Sequence, residues 1–210
     1  MPDTAKEKTD DNALSGAASR SASLVKKARQ GSSAAFHELV HLYQGAVFKM
    51  VYYRIRSQID AEDLTQDIFL QAFKSLHRLK ETERFRGWLF RIALNRVRDF
   101  SRKKRFRAMF KASFGNDELT AGELATDDRS ETLEQLAKKD FWNRIREMLN
   151  RLSRMEREVF LLRFFDNLSI IEITRALGKT ESTVKTHLYR GLNKFRKDAS
   201  IQALLDDKLQ

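Results

Sequence analysis

A chain of 210 residues with 41% hydrophobic content has room for one ordinary domain or two small ones, and enough apolar material for real cores. It contains no cysteine, which excludes disulfides and thiolate zinc sites, and no apolar run approaches the ~18 residues a membrane span requires. A net charge of +11 asks for a polyanionic partner.

The charge is segregated. Residues 24–112 carry 20 basic and 8 acidic side chains, residues 113–135 carry 1 and 7, and residues 136–210 carry 16 and 10. Two basic blocks flanking an acidic stretch predict two domains and a linker. Pro2 is the single proline, and so few chain breakers predict an all-α protein. Residues 1–23 lack an apolar signal core and read as a disordered tail.

In the first block, residues 23–31 (SLVKKARQG) predict a short helix stopped by Gly31. Ser32 or Ser33 then caps a longer helix with Phe36, Leu39, Val40, Tyr43, Val47, Met50 and Val51 at three- and four-residue spacings. Within it HELVH matches H-E-x-x-H. His37 and His41 share a face there, with Glu38 beside them and Glu62 downstream as a conceivable further ligand. That pattern makes a zinc hydrolase one alternative, against the simpler reading of two surface histidines on an amphipathic helix.

A third helix is expected from Asp60. Leu64, Ile68, Ala72 and Leu76 form its core stripe, and Asp60, Glu62 and Asp63 complement the dipole in its first turn. Gln66 and Phe69 lie off that stripe and suggest a second, partner-facing surface.

The segment from Arg84 to Arg107 projects as a helix with an apolar sector of Leu89, Phe90, Ile92, Ala93, Leu94, Val97 and Phe100. Arg91, Asn95, Arg98 and Arg102 step along the opposite side, and Trp88 sits at the edge. Arginines hold phosphates, while an aromatic edge and a carboxamide suit unpaired bases. Arg96 falls inside the apolar sector, where snorkelling or ion pairing must accommodate it.

In the second block a helix from about Arg154 to Phe165 is buried through Val159, Phe160 and Leu162, with a turn at Asn167. Ser169 and Glu172 form a capping box that opens a short helix buried through Ile170, Ile173 and Leu177 and stopped by Gly178. From Thr180 or Glu181 a second helix buries Val184, Leu188 and Phe195 and carries Lys185, Thr186, His187, Tyr189 and Arg190. Two short helices joined by a glycine turn, the second basic, read as a helix-turn-helix for a DNA major groove.

DAEDLTQDIFLQAF, FRGWLFRIALNRVRDFSRKKR and LSRMEREVFLLRFFDNLSIIEITRALGKTESTVKTHLYRG, in this order, resemble the extracytoplasmic-function (ECF) sigma factors. These are the small two-domain initiation subunits of bacterial RNA polymerase, group 4 of the main sigma family. The resemblance covers residues 24–110 and 137–198 and implies two small helical domains on a flexible acidic linker. Region 2 would occupy residues 24–112, the linker 113–136 and region 4 residues 137–210.

It further implies that Asp63, Gln66, Asp67, Phe69 and Leu70 contact core polymerase at its β′ clamp. The loop from Leu79 to Phe85, including Lys80, would cradle a flipped −10 base with Asn95. Trp88, Arg91, Arg98, Arg102 and Lys103 would hold the opened strand, and Lys185, Thr186, His187, Tyr189 and Arg190 would face the −35 element. The implied partners are core RNA polymerase (β′ and β), promoter DNA and an anti-sigma factor, in a bacterial cytoplasm, with no cofactor, metal or bond chemistry.

Four features depart from the family pattern: Ser153 at a frequent proline, Thr174 at a small alanine, Ser182 at a frequent glycine, and the unusual loop LKETER. A LuxR-type regulator is the other alternative, because STVKTHL resembles that helix-turn-helix too, although such a protein would need a sensory N-terminal domain.

Overall fold

The computed structural model describes residues 20–113, 147 and 149–196. Residues 1–19 of the tail expected over 1–23, and residues 114–136 of the linker expected over 113–136, lie outside the described residues. Among those described, every regular element is a helix. They fall mainly into two compact units, one before and one after residue 117.

The first unit begins with helix α1 over residues 20–29. Its start overlaps the predicted tail, because Ser21, Leu24 and Val25 are buried and the Tyr43 hydroxyl donates to Ser21 Oγ at 3.0 Å. Gly31 takes φ 99°, a conformation that favours glycine, and breaks the chain between helices. Ser32 is the N-cap of α2 (Ser33–Ile55), its Oγ accepting from the Ala35 N–H at 3.2 Å. Phe36, Leu39, Val47, Met50 and Val51 are buried as the spacing predicts, whereas Val40 and Tyr43 are half-buried.

Helix α3 (Gln58–Ser75) starts two residues ahead of expectation, because Ser57 caps it by accepting from the Asp60 N–H. Glu62 and Asp63 therefore sit beyond the first turn. Its buried stripe is Ala61, Thr65, Ile68, Phe69 and Ala72, rotated from the predicted one so that Leu64 is half-exposed and Phe69 is inside. Two 3-10 turns, Leu76–Arg78 and Thr82–Arg84, lead into α4 (Phe85–Ser113). Helix α4 packs on both α2 and α3. Tyr43 and Phe85 meet at 5.4 Å, and Phe36 meets Phe73 edge-on at 4.9 Å.

The second unit is built on two capping boxes. Ser153 and Glu156 open α5 (Arg154–Phe160), and Ser169 and Glu172 open α6 (Ile170–Leu177). The predicted helix to Phe165 does not stay α. Leu161–Phe165 forms a π turn, which the Asp166 N–H closes onto the Leu161 carbonyl at 3.0 Å. Asn167 at φ 51° and the buried Leu168 return the chain to α6. In α6 the fully buried positions are Ile173 and Ala176, while Ile170 and Leu177 are half-buried. Gly178 at φ 63° ends that helix, and α7 (Glu181–Arg196) buries Val184, Leu188, Gly191 and Phe195. Thr180 caps its start, its Oγ1 accepting from the Thr183 N–H at 3.3 Å.

Glu156 joins the two ends of this unit. Its side chain is only 7% exposed, and one oxygen accepts from both Lys194 Nζ of α7 at 2.7 Å and the Ser153 N–H at 2.9 Å. Lys194 above all, with Ser153 assisting, holds the carboxyl below its ordinary pKa against the opposing effect of burial. A carboxyl so lowered stabilises the fold above its unfolded pKa and loses that contribution as pH falls through the folded value. Glu156→Gln should therefore cost about 1–3 kcal/mol near neutrality. Urea melts of parent and variant are expected to converge as pH falls through the carboxylate range, and a pH-independent difference would contradict the ion pair. At Gly191 an added Cβ would meet only Leu152 and Glu156 side-chain carbons, at 3.8–4.0 Å. Gly191→Ala should then raise the stability of this unit by about 0.5–1 kcal/mol in the same melts.

Candidate nucleic-acid interface

Helix α4 has two faces. Phe85, Leu89, Phe90, Ala93 and Leu94 are essentially inaccessible, and Ile92 and Val97 are buried beside them. On the solvent side Arg91 and Asn95 are exposed one turn apart, followed by exposed Arg102 and Lys103, with Arg98 half-buried. Arg102 Nη2 donates to Asp99 Oδ1 at 3.0 Å, so one of these cations already has a carboxylate. Trp88 is half-buried at the border, its ring 5.8 Å from that of Phe85.

The predicted base-reading loop divides in the same way. Leu79 and Phe85 are buried, so their side chains hold the loop from beneath rather than standing on its surface, while Lys80 is exposed. Arg84 pairs with Glu81, and the Thr82 hydroxyl donates to Glu83 at 2.8 Å. Glu83's own backbone N–H, then Thr82, lowers the pKa of the Glu83 carboxyl. The charges of LKETER thus brace the Thr82–Arg84 turn, and the Lys80 carbonyl ahead of it accepts from Arg29 Nη1 at 3.5 Å. Arg96 is half-buried, and its Nε is shielded with no partner among the described residues.

On α3, Asp63, Gln66, Asp67 and Leu70 are exposed, Leu70 at 57%. Phe69, expected to project outward, is buried. Steps of four alone drift about 40° around the helix each time, whereas the packed face follows alternating steps of three and four and takes in Phe69 beside Thr65 and Ile68. Together with Phe36, Val40, Leu70 and Phe73 it lines an open apolar groove of about 470 Å³ between α2 and α3. Phe36, Val40 and Gln44 supply its α2 side.

Helix α7 turns Lys185, Thr186, Tyr189 and Arg190 to solvent, Tyr189 at 61% exposure. Lys185 Nζ donates to Glu181 Oε1 at 2.6 Å, a bond that raises the lysine pKa. His187 is different: it is half-buried, with Nδ1 enclosed and without a partner among the described residues. It lies between the buried Val184 and Leu188 and the exposed positions of the helix. Ser153, where a proline was expected, supplies a capping hydroxyl, and Thr174 Oγ1 donates to the Ile171 carbonyl at 2.7 Å.

His37 and His41 do share a face, with rings edge-on at 4.6 Å. Glu38, however, is directed to Arg20 at 3.6 Å, and no group of three His, Asp or Glu among the described residues is arranged to hold a metal. The donor set for a zinc hydrolase is not assembled. No helix among the described residues is long and apolar enough to cross a membrane.

Both units have counterparts among known proteins. Residues 39–107 match the model of sigma-70 region 2, and residues 142–195 match that of sigma-70 region 4. BldN of Streptomyces coelicolor, an ECF RNA polymerase sigma factor, is 34% identical over 80% of this chain; the match spans 62% of BldN's own length. NccH of Alcaligenes xylosoxydans xylosoxydans, an RNA polymerase sigma factor, is 31% identical over 82% of the chain and 90% of its own. The solved structure of CnrH in complex with the cytosolic domain of CnrY superposes with a TM-score of 0.61 at 25% identity, covering 90% of this chain and 98% of CnrH. With both sigma-70 regions in order and relatives aligned across most of its length, the chain belongs to the extracytoplasmic-function family of RNA polymerase sigma factors.

Proposed function

We propose that this sigma factor holds opened promoter DNA on the basic face of α4 and reads the −35 element with α7. Residues 24–112 act as region 2, 113–136 as the connecting linker and 137–210 as region 4. The observation that carries the assignment is the pair of exposed cationic helix faces, each backed by a buried apolar stripe. Arg91, Arg98, Arg102 and Lys103 offer charge to the sugar–phosphate backbone, while Asn95 and Trp88 offer a carboxamide and a ring edge to an extruded base. Extruding that base costs a few kcal/mol, which binding to the protein must offset. On α7, Lys185, Thr186, Tyr189 and Arg190 face the major groove, and Leu188 and Val184 fix their direction from beneath.

Asp63, Gln66, Asp67 and Leu70, beside the groove floored by Phe69, form the surface for core polymerase. A LuxR-type regulator would use α7 in the same manner but has no need of this strip or of the α4 face. The protein acts in the cytoplasm, needs no cofactor and performs no bond chemistry of its own. An anti-sigma factor is its further partner, in keeping with the capture of CnrH by the cytosolic domain of CnrY.

Purified core polymerase should retain the full-length chain in a pull-down, and the pair should transcribe a subset of a promoter library. A chain that fails to bind core would sink the sigma reading. Arg190→Ala should cost about 1–3 kcal/mol on the preferred −35 sequence if the guanidinium reads a base edge. Equal weakening on every sequence, with a shallower salt dependence, would make it a phosphate contact instead.

A further inference from the structure

We infer that the C-terminal end of α2 is a second platform for unpaired bases of promoter DNA, formed by Phe48, Tyr52, Tyr53 and Arg56. The inference rests on the sigma-factor reading above and adds a site on a different helix. The rings of Phe48 and Tyr52, one turn apart, lie within 12° of parallel at 5.9 Å. Tyr52 and Tyr53 follow at 6.3 Å, and the Arg56 guanidinium lies 5.5 Å over the Tyr53 ring. Three rings and a cation are thus linked pair by pair around this end of the helix. The core beneath this end of α2 is already supplied by Val47, Met50 and Val51, all at 0% exposure, so the rings lie away from the packed face, Phe48 and Tyr53 half-buried. Tyr52 is 37% exposed, and Lys49 and Arg56 are exposed beside it.

Arg56 also holds an unusual backbone conformation. It ends α2 in the left-handed region, φ 57° and ψ 31°, with its N–H donating to the Tyr52 carbonyl at 2.9 Å. Glycine or asparagine takes that conformation more readily, and Gly31 and Gly178 do so elsewhere in this chain. Strain of this kind concentrates where a side chain is needed in a particular direction. Here it brings a guanidinium over an aromatic ring instead of leaving it on a flexible arm.

Rings that accept a stacked base, flanked by Lys49 and Arg56 for phosphates, suit single-stranded nucleic acid. A duplex hides its base faces, so such a surface is useful only where strands have separated. That is the task assigned to this unit, and its surplus of cations is complementary to the strand.

The test uses the full-length chain bound to core polymerase, with fluorescence anisotropy of a labelled single-stranded oligonucleotide and of its duplex. Tyr52→Ala and Arg56→Gly should each weaken single-strand binding about tenfold, whereas Tyr52→Phe, which keeps the stacking face, should stay within about twofold. Duplex binding should be little changed, and Arg56→Gly should melt no lower than the parent, which separates lost binding from lost folding. With core binding intact, single-strand affinity unchanged in Tyr52→Ala and Arg56→Gly overturns the platform alone. Equal weakening on duplex, loss in Tyr52→Phe as large as in Tyr52→Ala, or loss of core binding in Tyr52→Ala overturns it as well. If the parent chain does not bind core polymerase, the underlying reading fails, and the platform with it.

Discussion

The burial of one side of α4 is the constraint from which the first unit follows. Leu89, Phe90, Ala93 and Leu94 have nowhere to go but against α2 and α3, and each fully buried leucine or phenylalanine among them is worth ~1.5–3 kcal/mol of transfer free energy. Once they are inside, helical geometry dictates that Arg91 and Asn95 point out. The hydrophobic effect has no directional preference of its own, yet here it aims a guanidinium and a carboxamide. It also explains why so cationic a helix forms at all: the apolar side binds it down against the mutual repulsion of its arginines.

The second unit is smaller and relies more on polar connections. Its inner cluster is Leu152, Phe160 and Phe195 with Leu149, Phe165 and Leu192 around it. Around that cluster the chain satisfies helix ends with its own side chains: Ser153 and Ser169 at two N-termini, and Arg163 donating to the Leu168 carbonyl at 3.1 Å. Arg157 likewise donates to the Leu149 carbonyl at 2.8 Å. Glu156 serves twice, as a capping partner and as the counter-ion of Lys194, so the start of α5 and the end of α7 are positioned by one carboxylate.

Local signals were legible in the sequence because local chemistry causes them. Gly31, Ser32, the Ser169–Glu172 box and Gly178 all behave as their residue types demand, and the buried face of α7 follows its spacing. What escaped was set at a distance or by small rotations. Ser57 moved the start of α3, and the packed face of that helix is wide enough to take in Phe69 beside Ile68. The Glu156–Lys194 bond joins residues 38 apart, a pairing no periodicity can show. Arg56 in the left-handed region contradicts its own propensity, and sequence rules that expect glycine there pass over it. Leu79 and Phe85 show the same limit, because a family role attached to a loop does not say which of its side chains support the surface and which compose it.

The π turn at Leu161–Phe165 bears on how such a domain tolerates change. A π turn holds one residue more than the α ladder would, and it lets Phe160 touch both Phe164 and Phe165, with ring centroids 4.6 and 6.5 Å away. The chain has thereby lodged an extra residue within a helix while Phe160 keeps its edge-on contact with Phe195 at 4.5 Å. Length variation need not be confined to loops: a helix end can store a residue as a wide turn and pass the remaining chain on in register with its core.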